Sequence, residues 1–403
     1  MMFHALTSPM ERNALLMYVA LATPGNHVLV GYGRPGGGKT SMGRQVGAAL
    51  GIAPERVIRW SLGQKQPEAL DGLAVPNDAG TGLKFMIAES LLNLNDGQPA
   101  LFIIDELGDC IRSMQAAAHG ALDERLFGDV HGKPSLKMLG FMNPPDYATD
   151  PQEQGIGFSN RCSFFPWQSP SVDDFIAYRS RRGEPMPLTL PRFTRDDWQK
   201  ARDYVDAVAA AYFKFDKHAT LEEDPKTEQV RGRFPLAYAT PRSWENALNL
   251  AATCICLGDR GAMKVLMQGT IGEPQALGFA SYEADRDLVD GLAALKKHDL
   301  FVPDPKRADR TFAQVFAVVQ AAKAGVDLKE RVERWGLAWS FIEYLRDLGG
   351  KKWSVIGKDV CIVGGRMLGE AMPLDGRGKP AAKYVDHADI IHELAPMVAA
   401  SAI

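Results

Sequence analysis

Short unbroken apolar runs and helix-period stretches alternate through the first 170 residues of the chain. His27–Tyr32 (HVLVGY) is apolar and β-branched, Leu101–Ile104 is wholly apolar ahead of Asp105 and Glu106, and Leu136–Met142 (LKMLGFM) stops at Asn143 before two prolines. Runs of this length without polar alternation predict strands covered on both faces, as in a parallel sheet. Ser41–Leu50 carries apolar residues at helical spacing, so residues 1–170 read as an α/β domain. Ala14–Ala22 (ALLMYVALA), after Arg12, resembles the apolar core of a secretory signal. It is read as a buried first helix, because cleavage there would leave almost nothing ahead of the strand at His27.

The pattern changes at Ser171. Asp173–Tyr178, Trp198–Phe213 and Ser243–Leu257 all have helical periodicity, which predicts a helical domain over residues 171–290. Beyond it Thr311–Ala322 and Val332–Leu348 read as helices and Trp353–Val363, split by Gly357, as strand-like. Residues 291–403 therefore read as a small α+β module.

Composition narrows the class. A length of 403 residues suits two to three domains at about 150 residues each. With 46% hydrophobic and 24% charged residues the chain has the make-up of a soluble globular protein with a sizeable core. The net charge of −3 offers no global basic field for nucleic acid or an anionic membrane. No apolar run reaches the roughly 20 residues a membrane-spanning helix needs, so membrane insertion is not expected. The five cysteines are odd in number and lack CxxC spacing, which argues against a disulfide framework or a zinc site and suits the cytoplasm.

Directly after the first strand stands Gly33-Arg34-Pro35-Gly36-Gly37-Gly38-Lys39-Thr40-Ser41, a GxxxxGK[ST] motif between a strand and a helix. Its glycines let backbone N–H groups turn toward phosphate oxygens, and the helix N-terminus adds about half a positive charge. Lys39 would reach the outer phosphates and Thr40 would hold Mg2+. About 65 residues later Asp105 and Glu106 end a buried strand. Asp105 is assigned to the metal and Glu106 to polarising the attacking water. Asn143, at the end of the third run, offers an amide that could orient that water, or it simply favours the turn before proline. ATP and Mg2+ are the expected cofactors.

These motifs, with Asn160-Arg161 ahead of the run Cys162–Phe165 and with Thr240-Pro241-Arg242, resemble the MoxR-type AAA+ ATPases of the helix 2 insert clade over about residues 14–280. Gln66–Gly72 occupies the place of a polar stretch that follows the second strand, here Val57–Ser61. Met114–Phe127 is similar to the helix that follows the Asp105-Glu106 strand in that group and ends in Glu124-Arg125, and Gly269–Phe279 is similar to a lid segment. The sequence departs from the group where Phe-Met-Asn-Pro replaces Thr-Gln-Asn-Pro and where Cys rather than Phe follows Arg161.

The resemblance implies a P-loop NTPase core over 1–170, a helical lid over 171–290 and a C-terminal module over 291–403. By the same resemblance Asn143 is sensor 1, Arg161 an arginine finger for a neighbouring subunit, Arg242 the sensor 2 residue and Arg125 a reserve finger. Against these stand a surface salt bridge for Arg161 and a structural place at a helix start for Arg242. The implied function is ATP hydrolysis by a homo-oligomeric ring, a hexamer, that remodels or activates a client protein or complex. A von Willebrand factor A domain protein is the implied partner. The alternative is a nucleic-acid-acting motor, a translocase or restriction-type NTPase, which the acidic balance disfavours.

Other features carry blander readings. Asp216–Arg233 reads as a solvated loop, and Arg179, Arg181 and Arg182 as a basic cluster in a loop. Trp335 and Trp339, four apart on one helix face, suit core packing, with partner docking as the sharper option.

Overall fold

The computed structural model describes residues 8–348, apart from 149–150, 183, 185, 285–286 and 305, together with 358–381, 387 and 389–391. The chain divides into two compact units, Met1–Thr194 with Thr220–Leu277, and Arg195–Ala219 with Gly278–Ile403. In order, the first unit contains α1 (Pro9–Ala22), β1 (Val28–Tyr32), α2 (Lys39–Ala49), β2 (Val57–Ser61), α3 (Glu68–Asp71), β3 (Leu73–Pro76), β4 (Leu83–Met86), α4 (Glu89–Leu92), β5 (Ala100–Asp105), α5 (Arg112–Glu124), β6 (Leu126–Phe127), β7 (Val130–His131), β8 (Leu136–Met142), α6 (Ile156–Ser159), β9 (Cys162–Pro166) and α7 (Val172–Ser180). Next, α8 (Arg195–Phe215) belongs to the second unit, while α9 (Glu228–Arg231), α10 (Pro241–Cys256) and α11 (Arg260–Ile271) belong to the first. After α12 (Glu273–Ala284), which spans the division, the second unit continues with α13 (Gly291–Lys296), α14 (Ala308–Lys323), α15 (Leu328–Leu348) and α16 (Lys358–Glu370).

Five strands form one parallel sheet in the order β2-β5-β8-β1-β9. The apolar runs of β1, β5 and β8 are buried as the patterning predicted, with every residue of β5 buried and Val28, Leu29 and Val30 of β1 almost fully so, whereas the edge strand β2 is only half-buried. β8 lies between β1 and β5, so the loops that leave the C-terminal ends of these strands open side by side. That is where ligands bind in open α/β sheets. Helices flank the sheet and further helices follow it, the α/β core expected from the sequence.

Local signals explain the helix starts. Ser8 caps α1 by accepting from the Met10 N–H at 3.1 Å, with Pro9 in the first turn, and Ala14–Leu21 are buried along the helix. Thr240 and Ser243 form a capping box on α10, again with proline at the first position. α11 approaches β9 so closely that a β-carbon at Gly269 would lie 1.6 Å from the Phe164 carbonyl oxygen, so only glycine fits there. Among the described residues no helix is long and apolar enough to cross a membrane.

Several sequence expectations need correction. Lys358–Val363, expected as strand, opens α16, while 353–357 lie outside the described residues. Val360 and Cys361 are buried together with Leu368, about two turns on, and this helical spacing outweighs the β-branched composition. Arg179 is in the last turn of α7 rather than in a loop, with Arg181 as its C-cap. The part of the presumed solvated loop after Thr220 is built into the first unit: Arg233 pairs with Glu223 through contacts of 2.9 and 3.0 Å, and Glu223 also accepts from the Ala239 N–H at 2.9 Å. Trp335 and Trp339 pack edge to face at 5.9 Å in the core of the second unit, which is the bland reading of that pair. The antiparallel β3–β4 hairpin, with Leu73, Leu83, Phe85 and Met86 exposed, had no counterpart in the sequence reading.

Candidate nucleotide site

Between β1 and α2 the chain turns through Gly36 (φ +77°) and Gly38 (φ +80°), conformations that L side chains rarely adopt. The turn is braced from below by Trp167, just past β9. Its indole Nε1–H donates to the Gly37 carbonyl at 3.0 Å and its N–H to the Tyr32 carbonyl at 2.8 Å. A β-carbon at Gly33 would come within 2.8 Å of the Trp167 side chain, so this glycine is required by close packing. α2 then begins at Lys39 and aims its free N–H groups at the space above the loop.

Around that space lies a cavity of about 410 Å³ lined by Pro35–Ser41, Arg59, Asp105, Glu106 and Asn143. Lys39 is folded back on the loop, donating to the carbonyls of Gly33 (2.7 Å) and Arg34 (2.9 Å) and to Asn143 Oδ1 (3.0 Å). Burial lowers its pKa and Asp105 opposes that shift. Asp105 Oδ2 accepts from the Thr40 hydroxyl at 2.8 Å and from Arg59 Nε at 2.9 Å, while Oδ1 accepts the Glu106 N–H at 3.0 Å. Glu106 is in the left-handed region (φ 60°), uncommon for a residue with a side chain, and its carboxylate accepts from the Ser61 hydroxyl.

Thr40 and Asp105 suit a magnesium ion. A hydroxyl and a carboxylate oxygen 2.8 Å apart on one cavity wall are the hard donors this ion takes, alongside waters and phosphate oxygens.

On the other side of the loop a second cavity, of about 340 Å³, shares Gly36–Gly38 and Ser41 and is lined by Met10, Met42, Phe175 and Tyr178 among others. A larger one, of about 740 Å³, lies elsewhere in the same unit, between α5, the segment around Gln154 and the segment around Arg233. Its lining contains none of the residues named for phosphate or metal, so size does not mark the site.

The arginines named from the sequence stand apart from this cavity. Arg161 precedes β9 at the end where Cys162 pairs with Val28, whereas the phosphate loop leaves the end where Pro166 pairs with Tyr32. Five strand residues separate the two ends, about 16 Å at roughly 3.3 Å per residue. Arg161 and Arg242 meet on one carboxylate, Asp123 Oδ2, at 3.4 and 3.1 Å, and Arg161 also donates to the Gly157 carbonyl at 2.8 Å. Arg125, the reserve finger, donates to the carbonyls of Leu136 (3.1 Å) and Gly25 (2.9 Å).

Three residues beside the loop had escaped the sequence reading: Arg59, Ser61 and Trp167. Their place follows from sheet order, since Ser61 stands level with Asp105 across the β2–β5 pair. A polar residue at the C-terminal end of a strand is the signal that could have found Ser61, and a charged residue in the middle of an otherwise apolar strand the one for Arg59.

No family model matches the chain, and no curated protein matches it. Among solved structures it is similar to a candidate ATPase from Cytophaga hutchinsonii, with 12% identity over 65% of this chain and 80% of that one and a TM-score of 0.39. A likeness that distant adds nothing to what the sheet and the loop show by themselves.

Proposed function

We propose that the chain is a MoxR-type AAA+ ATPase that assembles into a ring, a hexamer in its simplest form, and uses hydrolysis to remodel or activate a protein client or complex. One observation carries this reading. Lys39, Thr40, Asp105, Glu106 and Asn143, separated by up to about 100 residues in sequence, line one cavity beside a glycine turn. The backbone N–H groups of the turn and of the first turn of α2 would cradle the phosphates, and Lys39 would exchange its loop carbonyls for phosphate oxygens. The apolar cavity on the other side of the loop is suited to the base.

Magnesium, when bound, supplies charge neutralisation on the phosphates, with Thr40 and Asp105 as its protein donors. Glu106 then acts as the base that polarises the attacking water, a role its left-handed backbone supports by turning the carboxylate from the strand into the cavity. The Asn143 amide, on the same cavity wall as Lys39, would orient the water or the terminal phosphate.

The ring is supported by the arginines. A guanidinium some 16 Å of strand away from its own phosphate loop cannot serve that nucleotide, so Arg161 is assigned to the nucleotide of a neighbouring subunit, while Arg242, which meets it on Asp123, keeps the sensor 2 assignment. A domain division at about residues 170 and 290 and a von Willebrand factor A domain partner belong to the same proposal. The free thiols of all five cysteines support a cytoplasmic setting.

Lys39→Ala tests the central claim. Removing a charge-paired donor from an enclosed phosphate site should weaken ATP binding by about a hundredfold or more, read by titration with a fluorescent ATP analogue. Unchanged affinity would refute the phosphate cradle.

A further inference from the structure

Arg59 makes a contact that phosphate binding by itself does not require. It stands on β2, at the edge of the sheet, two residues before Ser61 and therefore on the same face. Its Nε donates to Asp105 Oδ2 at 2.9 Å, the same oxygen that accepts the Thr40 hydroxyl, and its side chain stays 41% exposed at the cavity rim. The oxygen through which Asp105 would serve a metal is thus already held by a monovalent cation.

Two consequences follow from charge alone. Asp105 is 8% exposed, and a buried carboxylate without a counter-ion is unfavourable; Arg59 supplies one. A divalent cation approaching the same oxygen has to displace that guanidinium or share the oxygen with it against like-charge repulsion. The displaced group remains in the cavity on a flexible stem, and its planar fork suits phosphate oxygens.

We infer that Arg59 is a positioning residue that stands in for the metal's charge on Asp105. It keeps the carboxylate aimed into the cavity in the absence of metal, competes with metal for it, and so sets how strongly nucleotide binding depends on the metal. This rests on the nucleotide reading above.

The test measures binding rather than turnover, using a fluorescent ATP analogue with excess EDTA and then with titrated MgCl2, on the full chain carrying Arg59, Arg59→Gln or Arg59→Lys. With Arg59→Gln, Asp105 faces the phosphates bare. Metal-free affinity should fall by about tenfold and the half-saturating Mg2+ concentration should drop severalfold, widening the ratio of affinities with and without metal by at least about tenfold. Arg59→Lys, which keeps the charge, should stay within about threefold of wild type. An unchanged ratio in Arg59→Gln, or Arg59→Lys behaving like Arg59→Gln, would overturn the inference while wild-type binding keeps the nucleotide reading intact. Absence of nucleotide binding by the wild type in both buffers would sink that reading and this inference with it. Arg59 is exposed enough that neither substitution is expected to unfold the chain, and thermal melting checks this.

Discussion

The two ends of the parallel sheet use similar residue types for opposite purposes. At the C-terminal ends of β1, β5 and β8, Lys39, Thr40, Asp105, Glu106 and Asn143 face a cavity and touch one another. At the N-terminal ends of β1 and β8 polar groups are tied to backbone. His27 Nε2–H donates to the Pro24 carbonyl at 2.8 Å, Arg125 to those of Gly25 and Leu136, and Asn26 to those of Leu122 and Asp123 at 2.7 and 2.8 Å. Lys137, in the same region, has its pKa pushed down to about 8 by burial and then by Arg125. A buried cation or histidine therefore signals chemistry only when its partners are groups a ligand can replace. Arg161 and Arg242, beside β9, differ: they meet on a side-chain carboxylate, Asp123, and Arg242 is 42% exposed. A neighbouring molecule can compete for them.

The largest effect expected from this contrast lies with Arg161. If it completes a neighbour's site, Arg161→Ala should lower turnover by about 10³-fold or more while ATP binding persists. Glu106→Gln should also bind ATP and fail to hydrolyse it. Mixed rings of the two variants contain interfaces that pair an intact Glu106 with an intact Arg161, so activity should return and peak at intermediate ratios. Flat, inactive mixtures across all ratios would place Arg161 with the structural residues of its end of the sheet.

The sequence and the structure agree best where function is local. The glycine turn, the carboxylates after β5 and Asn143 after β8 each announce themselves within a few residues, because strand, turn and helix start are adjacent in the chain. What sequence reading missed depends on which strand lies beside which. Ser61 and Arg59 matter because β2 neighbours β5, and Trp167 because β9 neighbours β1. Nothing in local periodicity encodes that order. Glu223 and Arg233 were hidden for a related reason: polar residues that pair with each other inside a fold have the same pattern as residues that face water. The position of Arg161 at one strand end could be inferred once Cys162–Phe165 was read as a strand, but its sharing of Asp123 with Arg242 could not.

A smaller effect concerns His27. Burial depresses its pKa from 6.5 to about 4, so the native state keeps it neutral where an unfolded chain would protonate it. As pH falls from 6.5 toward 4 the unfolded state binds a proton that the native state refuses, and stability is lost across that window. By pH 4.5 the loss amounts to about 2–3 kcal/mol. Titrating carboxylates add to the raw curve, so the readout is a difference: urea unfolding of His27→Asn should depend less steeply on pH between 6.5 and 4.5 than that of wild type. Parallel curves would show that this end of the sheet does not hold the ring neutral.

The smallest effect discriminates between the two arginines that bracket the N-terminal end. Among the described residues Arg125 donates only to main-chain carbonyls, and its own backbone is left-handed at φ 54°, a conformation alanine would share with it. Arg125→Ala should therefore remove two charge-assisted hydrogen bonds at a cost of about 2 kcal/mol, a fall of several degrees in Tm, without adding new backbone strain. Turnover per folded molecule should stay within about twofold of wild type, because neither carbonyl belongs to the nucleotide cavity. Should Arg125→Ala instead lose activity by orders of magnitude and regain it on mixing with Glu106→Gln, the trans-acting group would be Arg125. Arg161 would then be the residue bound into the fold, and exposure of the partner carboxylate would no longer separate functional from structural arginines at this edge.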